Sequence, residues 1–416
     1  MFVLKGRIID GTGNSVIEKG VVVVEKNKIK LVCKEYEYRT PEGVEVIEVE
    51  DGTIMPGFID QHVHLGMGTV NSMLMYTMTP YEKTCQAVWD MEKLIEAGFT
   101  TVREPGGFAH QLKGPIQKGL VNGPRISASG KILTQTGGHV DVYKKFPIEL
   151  NEVTLLGVIA DGTDAVRQAA RMQFREGADF IKTCTTGGVT SQGNTNTASQ
   201  YSISEIKAMV EEAEMHGSYV AAHAQGTRGI KNALVAGVKS IEHGMFMDEE
   251  CIELMVKNDA WLVPTFSIAH MYMENIDTLP EWVVPKIKAS YEAHYKSFEM
   301  CHKAGIKIGY GSDFLGDPSI CPYGKNSMEF ERLVHAGMSP MEAIVAATKT
   351  GSEIIMRADE VGTLEEGKLA DITIVTGNPL ENINLLTDAD NIKIVIIDGK
   401  IRKNTLNENK INSIVV

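Results

Sequence analysis

Two histidines stand two residues apart in Asp60-Gln61-His62-Val63-His64, where a short apolar run ends. If that run is a strand, side chains at i and i+2 share a face, so both imidazoles can reach one cation. An isolated H-x-H pair is structural more often than metal-binding, and by itself it decides nothing. It gains weight because metal-capable side chains recur where other short apolar runs end: Lys182 in Phe-Ile-Lys, His223 in Val-Ala-Ala-His, His243 in Ser-Ile-Glu-His-Gly and Asp313 in Gly-Tyr-Gly-Ser-Asp. Imidazole nitrogen and carboxylate oxygen without thiolate suit zinc and leave manganese, iron and cobalt open. The six cysteines are scattered with no C-x-x-C pair, which fits neither a thiolate metal site nor a disulfide framework.

Elements that could bring such residues together are visible in the alternation of the middle of the chain. Short apolar runs at Gly57–Asp60, Thr100–Arg103, Arg125–Ala128, Phe180–Lys182, Tyr219–His223, Ser240–His243, Trp261–Pro264 and Ile306–Gly309 read as strands. Amphipathic stretches such as Ser204–His216 and Val284–Ala304, each closed by glycine, read as helices between them. Eight such alternations predict a (β/α)8 barrel, whose strand ends converge on one mouth. The two ends of the chain are different: both are β-rich and broken by turns such as Gly11-Thr-Gly-Asn and Asn378-Pro379. They predict one small β domain built from residues 1–56 and 358–416, around a catalytic barrel at 57–357.

Composition narrows the classes. The chain has 416 residues, 43% hydrophobic and 23% charged, which is ordinary for a globular protein. A formal charge of -13 without any basic cluster argues against a nucleic-acid surface. No apolar stretch approaches the ~18 residues of a membrane span, and the N-terminus lacks a signal pattern, so a cytoplasmic location and no membrane partner are expected.

The motifs Pro56-Gly-Phe-Ile-Asp-Gln-His-Val-His64, Ile241-Glu-His-Gly244 and Gly311-Ser-Asp313 resemble the amidohydrolase superfamily over nearly the whole chain. The late Val361-Gly-Thr-Leu-Glu-Glu-Gly-Lys-Leu-Ala-Asp-Ile372 segment is similar to that superfamily's return to its small β-sandwich. More narrowly, Thr101-Val-Arg-Glu104, Gln135-Thr-Gly-Gly-His139, Phe180-Ile-Lys182 and Ala222-His-Ala-Gln-Gly226 resemble the imidazolonepropionase-like branch that holds Xaa-Pro dipeptidases and arginine or lysine carboxypeptidases.

The resemblance implies two divalent ions, usually zinc, with His62, His64 and Asp313 on one and His223 and His243 on the other. Lys182 would bridge them. An ammonium has donors only and repels cations, so the bridge requires carboxylation of the neutral amine by CO2. A hydroxide shared by the ions would attack the carbonyl, and Asp313 would move the nucleophile's proton to the leaving nitrogen. His139, behind a Gly-Gly turn, is assigned to carbonyl polarisation or carboxylate binding. Gln225 shares the face of His223 if the strand continues, and it replaces the His or Tyr common in that branch. Arg103 is left open between an anion anchor and a partner for a structural carboxylate. The other histidines, the Met73-Leu-Met75 stretch and Asp317 are read as packing or surface residues.

The expected activity is hydrolysis of an amide bond in a dipeptide or N-acyl amino acid, with a small molecule as substrate and a homo-oligomer as the assembly. The alternatives are a cyclic-amide hydrolase such as imidazolonepropionase, which works with one metal and no bridging lysine, and a catalytically silent scaffold. Filled ligand positions weigh against the scaffold.

Overall fold

The computed structural model describes residues 1–406 except Tyr143. Residues 407–416, part of the stretch expected to complete the small β domain, lie outside the described residues.

The chain begins with β1 (Phe2–Ile8), β2 (Ile17–Glu25), β3 (Lys28–Lys34) and β4 (Glu45–Pro56). Nine short strands follow, and their order sets the mouth of the molecule: β5 (Phe58–Asp60), β6 (Phe99–Glu104), β7 (Arg125–Ala128), β8 (Ile132–Thr134), β9 (Gly157–Ile159), β10 (Ile181–Cys184), β11 (Val220–Ala224), β12 (Ser240–His243) and β13 (Trp261–Val263). The chain then returns to its start through β14 (Ile372–Thr376), β15 (Ile392–Ile397) and β16 (Lys400–Asn404).

The outer strands form one seven-stranded sheet in the order β16-β15-β14-β4-β1-β2-β3. β4 is shared between its halves. The register with β1 jumps from Lys5↔Glu48 to Arg7↔Thr53, so several residues of β4 bulge opposite Gly6 and the sheet folds over there. Only glycine fits, because a Cβ at Gly6 would lie 2.8 Å from the Val49 carbonyl oxygen. Leu4, Val22, Ile54, Ile374 and Ile394 fill the space that the fold encloses. This is the β-sandwich expected from the two apolar ends.

The inner strands form two parallel sheets, β5-β6-β7 and β13-β12-β11-β10-β8-β9. Backbone bonds join them into a ring. Asp179 N–H donates to the Ala128 carbonyl at 2.7 Å, linking the end of β7 to the start of β10. On the other side, residues 307–313 bridge β13 and β5: Leu262 N–H donates to Lys307, Gly309 N–H to Leu262, Gln61 N–H to Tyr310 and Asp313 N–H to His62. The expected eighth strand is therefore present as a bridging segment with a single bridge at Leu262↔Ile308, not as a ladder. The sequence reading also lacked β8 and β9, which are too short to show a period.

Helices cover the ring. The helices Pro80–Glu96 and Ile203–Met215 begin with reciprocal capping boxes, Thr79 with Glu82 and Ser202 with Glu205. No helix among the described residues is long and apolar enough to cross a membrane.

Candidate active site

Asp60 ends β5 as a fully buried carboxylate that ties two loops together. It accepts the N–H groups of His62 and Ser312, both at 3.1 Å, the Ser312 hydroxyl at 2.6 Å and the Asn326 amide at 3.1 Å. Burial pushes its pKa up to about 6, against those donors. The result is that the residue after Ser312, Asp313, stands over the two histidines that follow Asp60.

The imidazoles are held by their far nitrogens. His62 Nδ1 lies 2.7 Å from Glu242 Oε2, and His64 Nδ1 lies 2.7 Å from the Gly106 carbonyl oxygen. Each Nδ1 therefore carries the proton, leaving each Nε2 a bare electron pair. Both pairs face Asp313 Oδ1, at 3.4 Å from His62 Nε2 and 3.2 Å from His64 Nε2. Three electron-rich atoms turned on one another repel unless a cation sits among them, so this arrangement fits a metal ion.

The second group of ligand candidates lies across the mouth. β10, β11 and β12 run in register, with Cys184 opposite His223 and His223 opposite Glu242. His223 Nε2 lies 3.0 Å from the Gly187 carbonyl oxygen, which fixes the proton there and leaves Nδ1 as donor atom for a metal. His243 follows Glu242 directly, so strict alternation would turn it away. Its backbone is left-handed (φ 72°), and the ring swings back into the mouth with Nδ1 2.7 Å from Thr265 Oγ1. Asp313 (φ 58°) and Thr265 (φ 59°) are bent in the same way. Ligand atoms of His62, His243 and Asp313 lie within 4.8 Å of one another. Burial is the first cause holding His62, His223 and His243 well below the ordinary imidazole pKa, so all three are neutral electron donors.

Lys182 projects between these groups from β10. It is buried, and no carboxylate among the described residues lies within ion-pair distance of its amine. Burial lowers its pKa, with Arg103 adding to the effect while Glu242 opposes it.

His62, His64, His139, Lys182, His223, Gln225, His243 and Asp313 all line one cavity of about 910 Å³. His139 stacks on His223 with ring centroids 4.0 Å apart, and its Nδ1 lies 2.6 Å from Ser191 Oγ. Burial, helped by Lys182 and Lys286, pushes its pKa down to about 3. Gln225 lies just past the end of β11, and its backbone N–H donates to Thr186 Oγ1 at 2.9 Å.

Arg103 lies beneath the cavity. Its Nη2 donates to Glu242 Oε2 at 2.7 Å, and its remaining donors reach Gln61 O and Ser240 Oγ. Of the two roles left open for it, the structure shows the pairing with a buried carboxylate. Burial opposes ionisation of Glu242, but Arg103 and Lys182 overcome it and lower its pKa. Asp317 accepts the N–H groups of Val70, Ser319 and Ile320, and it is buried and lines the cavity, so its reading as a surface residue is corrected. Met73, Leu74 and Met75 line the cavity mouth, so the reading of that stretch as packing alone is corrected.

Sequence reasoning missed Glu242, Thr265 and Ser191. Glu242 had a signal, its period-two spacing from Ser240 inside the Ile-Glu-His motif. Thr265 and Ser191 had none, being common loop residues.

Comparison with known proteins identifies the family. The amidohydrolase family profile matches residues 53–402. The ochratoxinase of Aspergillus niger is 32% identical over 374 residues, spanning 84% of this chain and 75% of that protein. A prolidase crystallised with N-methylphosphonate-L-proline is 32% identical with a TM-score of 0.91, covering 97% of this chain and 100% of the other. A Xaa-Pro dipeptidase with methionine bound in its active site is 32% identical with a TM-score of 0.85, covering 97% and 99%. The chain therefore belongs to the amidohydrolase family, with that family's barrel-and-sandwich fold, and is a hydrolase of carbon–nitrogen bonds.

Proposed function

We propose that the protein hydrolyses the amide bond of a dipeptide or N-acyl amino acid, and that it does so with two divalent ions, zinc being the expected one. The observation that carries the reading is the set of bare nitrogens around Asp313 at the floor of a cavity whose walls are largely apolar, among them Val140, Leu156, Met245, Ile268 and Val283. His62, His64 and Asp313 would hold one ion and His223 and His243 the other. Lys182 would join them as its CO2-derived carbamate, and the burial that lowers its amine pKa favours the neutral form carboxylation needs. Bound metal supplies Lewis acidity and a water nucleophile at neutral pH.

The chain's own groups do the rest. Asp313 Oδ2, 4.0 Å from His243 Nδ1, takes the proton of the attacking water and returns it to the leaving nitrogen. His139 donates to the substrate carbonyl, and Gln225 contacts the flanking polar group. The apolar wall receives an uncharged side chain or acyl group and excludes water.

The test is elemental analysis of chelator-free protein together with turnover of a panel of dipeptides and N-acyl amino acids graded from apolar to cationic. About two ions per chain and a preference for apolar members are expected. Lys182→Ala should lower metal content and rate together, with short-chain acids partly restoring the rate. A single ion per chain, unchanged by Lys182→Ala, would remove the bridge; no turnover of any linear amide would remove the substrate class.

A further inference from the structure

His139 can serve as a donor to a carbonyl only if its proton is on the nitrogen that faces the substrate. An imidazole held neutral has one N–H and one bare nitrogen, and the partner of one nitrogen decides the state of the other. The partner here is the Ser191 hydroxyl, 2.6 Å from Nδ1.

The hydroxyl is itself constrained. Ser191 Oγ accepts the N–H of Gly188 at 2.9 Å, while Ser191 N–H closes the same turn by donating to the Gly188 carbonyl at 3.1 Å. With one lone pair engaged, its single hydrogen still needs an acceptor. Among the described residues the only acceptor within hydrogen-bond distance of that hydrogen is His139 Nδ1. The opposite arrangement, with Nδ1–H donating to Oγ, would leave the hydroxyl hydrogen of the buried Ser191 with no partner among the described residues, at a cost of roughly 1–3 kcal/mol.

The ring has little freedom to evade this choice. One face stacks on His223, and Gly188 lies so close to the Cε1 side of the ring that a Cβ there would come within 2.4 Å of it. The backbone N–H of His139 donates to Gln200 Oε1 at 3.1 Å. The 188–191 turn is pinned from outside by Lys286, whose amine donates to the carbonyls of Ser191 and Gly188. No partner for Nε2 is found among the described residues, and the ring lines the cavity.

From this geometry we infer that Ser191 is a positioning residue that takes up Nδ1 of His139 as its hydrogen-bond acceptor and so turns the ring's N–H, on Nε2, into the substrate cavity. Lys286 holds the turn that presents Ser191. The inference rests on the proposed amide hydrolysis for its consequence on rate, but the tautomer stands independently of it.

Two measurements separate the two. Nitrogen-15 NMR of histidine-labelled protein loaded with zinc, with the His139 signals assigned by their loss in His139→Gln, should show Nε2 protonated in the wild type and Nδ1 protonation appearing in Ser191→Ala. On a hydrolysed amide, Ser191→Ala should lower kcat about 10- to 100-fold with little change in KM, less than the ~10²–10³-fold of a donor removed outright because the ring stays in place. Ser191→Thr should restore most of it, and Ser191→Ala added to His139→Ala should cost nothing further. A wild-type signal from Nδ1–H, or losses from the two substitutions that multiply, would overturn the assignment. If the wild type cleaves no amide while NMR shows Nε2–H, the substrate reading falls and the tautomer remains.

Discussion

His62 and His139 face the same cavity, yet they are held by opposite means. His62 is backed by a charged chain set in strands: its Nδ1 meets Glu242, and Glu242 meets Arg103, which is wholly buried between β6 and β12. His139 is backed by a neutral serine in a loop, steadied by a lysine from a helix start. A buried carboxylate raises the electron-donating power of the imidazole it holds, which suits a metal ligand. A hydroxyl leaves the ring neutral and sets only which nitrogen carries the proton, which suits a donor to substrate. The two supports therefore sort the histidines by task, and the difference is in the partner, not in the ring.

The largest effect should come from Asp313, which faces the strand-held side and touches the bare nitrogens of both His62 and His64. Asp313→Asn should cut kcat by about 10²–10⁴-fold while thermal unfolding stays close to wild type. A rate within a few-fold of wild type would take the proton transfer away from this residue.

Next in size is the charged support itself. Glu242→Ala leaves Arg103 buried without its partner and His62 without its anchor, so stability should fall by about 3–5 kcal/mol in denaturant titration. Metal content should fall with it, unlike in Ser191→Ala, where metal is expected to stay. If Glu242→Ala kept its metal, the contrast between the two supports would collapse.

A further effect, read in pH and not in rate, concerns the shell behind His64. Glu104 accepts the N–H groups of Leu65 and Ala109, at 3.0 and 2.7 Å, and burial pushes its pKa up to about 8 from an ordinary 4.5. The folded form then binds more protons than the unfolded one between these values, so the group's contribution to stability is present below about pH 4.5 and is lost as pH rises through about 8. Unfolding followed by circular dichroism should show stability declining across that window, and Glu104→Gln should flatten the decline. An unchanged slope would mean that Glu104 is ionised throughout.

Much of this site was legible before any coordinates. Lys182, His223 and Asp313 were expected at strand ends and all three line the cavity, although Lys182 is the second residue of β10 and Asp313 follows a bridging segment and not a strand. His243 was identified from its motif, although alternation with His223 in the neighbouring strand would have turned it outward; its left-handed backbone is what returns it. Glu242 was hidden for the complementary reason, since naming His243 as inward made its neighbour look outward. Arg103 could not be decided because its partner sits well over a hundred positions away, |i−j| = 139. Ser191 was invisible because its role depends on a loop conformation that no periodicity encodes.

The sheet shared by both ends of the chain also sets the order of events during synthesis. β4 pairs along 52–56 with β14 at 372–376, and Thr53 bonds to Gly377, 324 positions later. At roughly 5–20 residues per second, the ribosome leaves that edge of β4 uncovered for about 15–65 s after it is made. The barrel strands emerge during this wait, while the sandwich is open and its edge can pair wrongly. Nascent chains should therefore need an attendant chaperone until the last strands arrive, and truncation before β14 should yield aggregates even though all the cavity-lining residues, the last being Ile320, have been made.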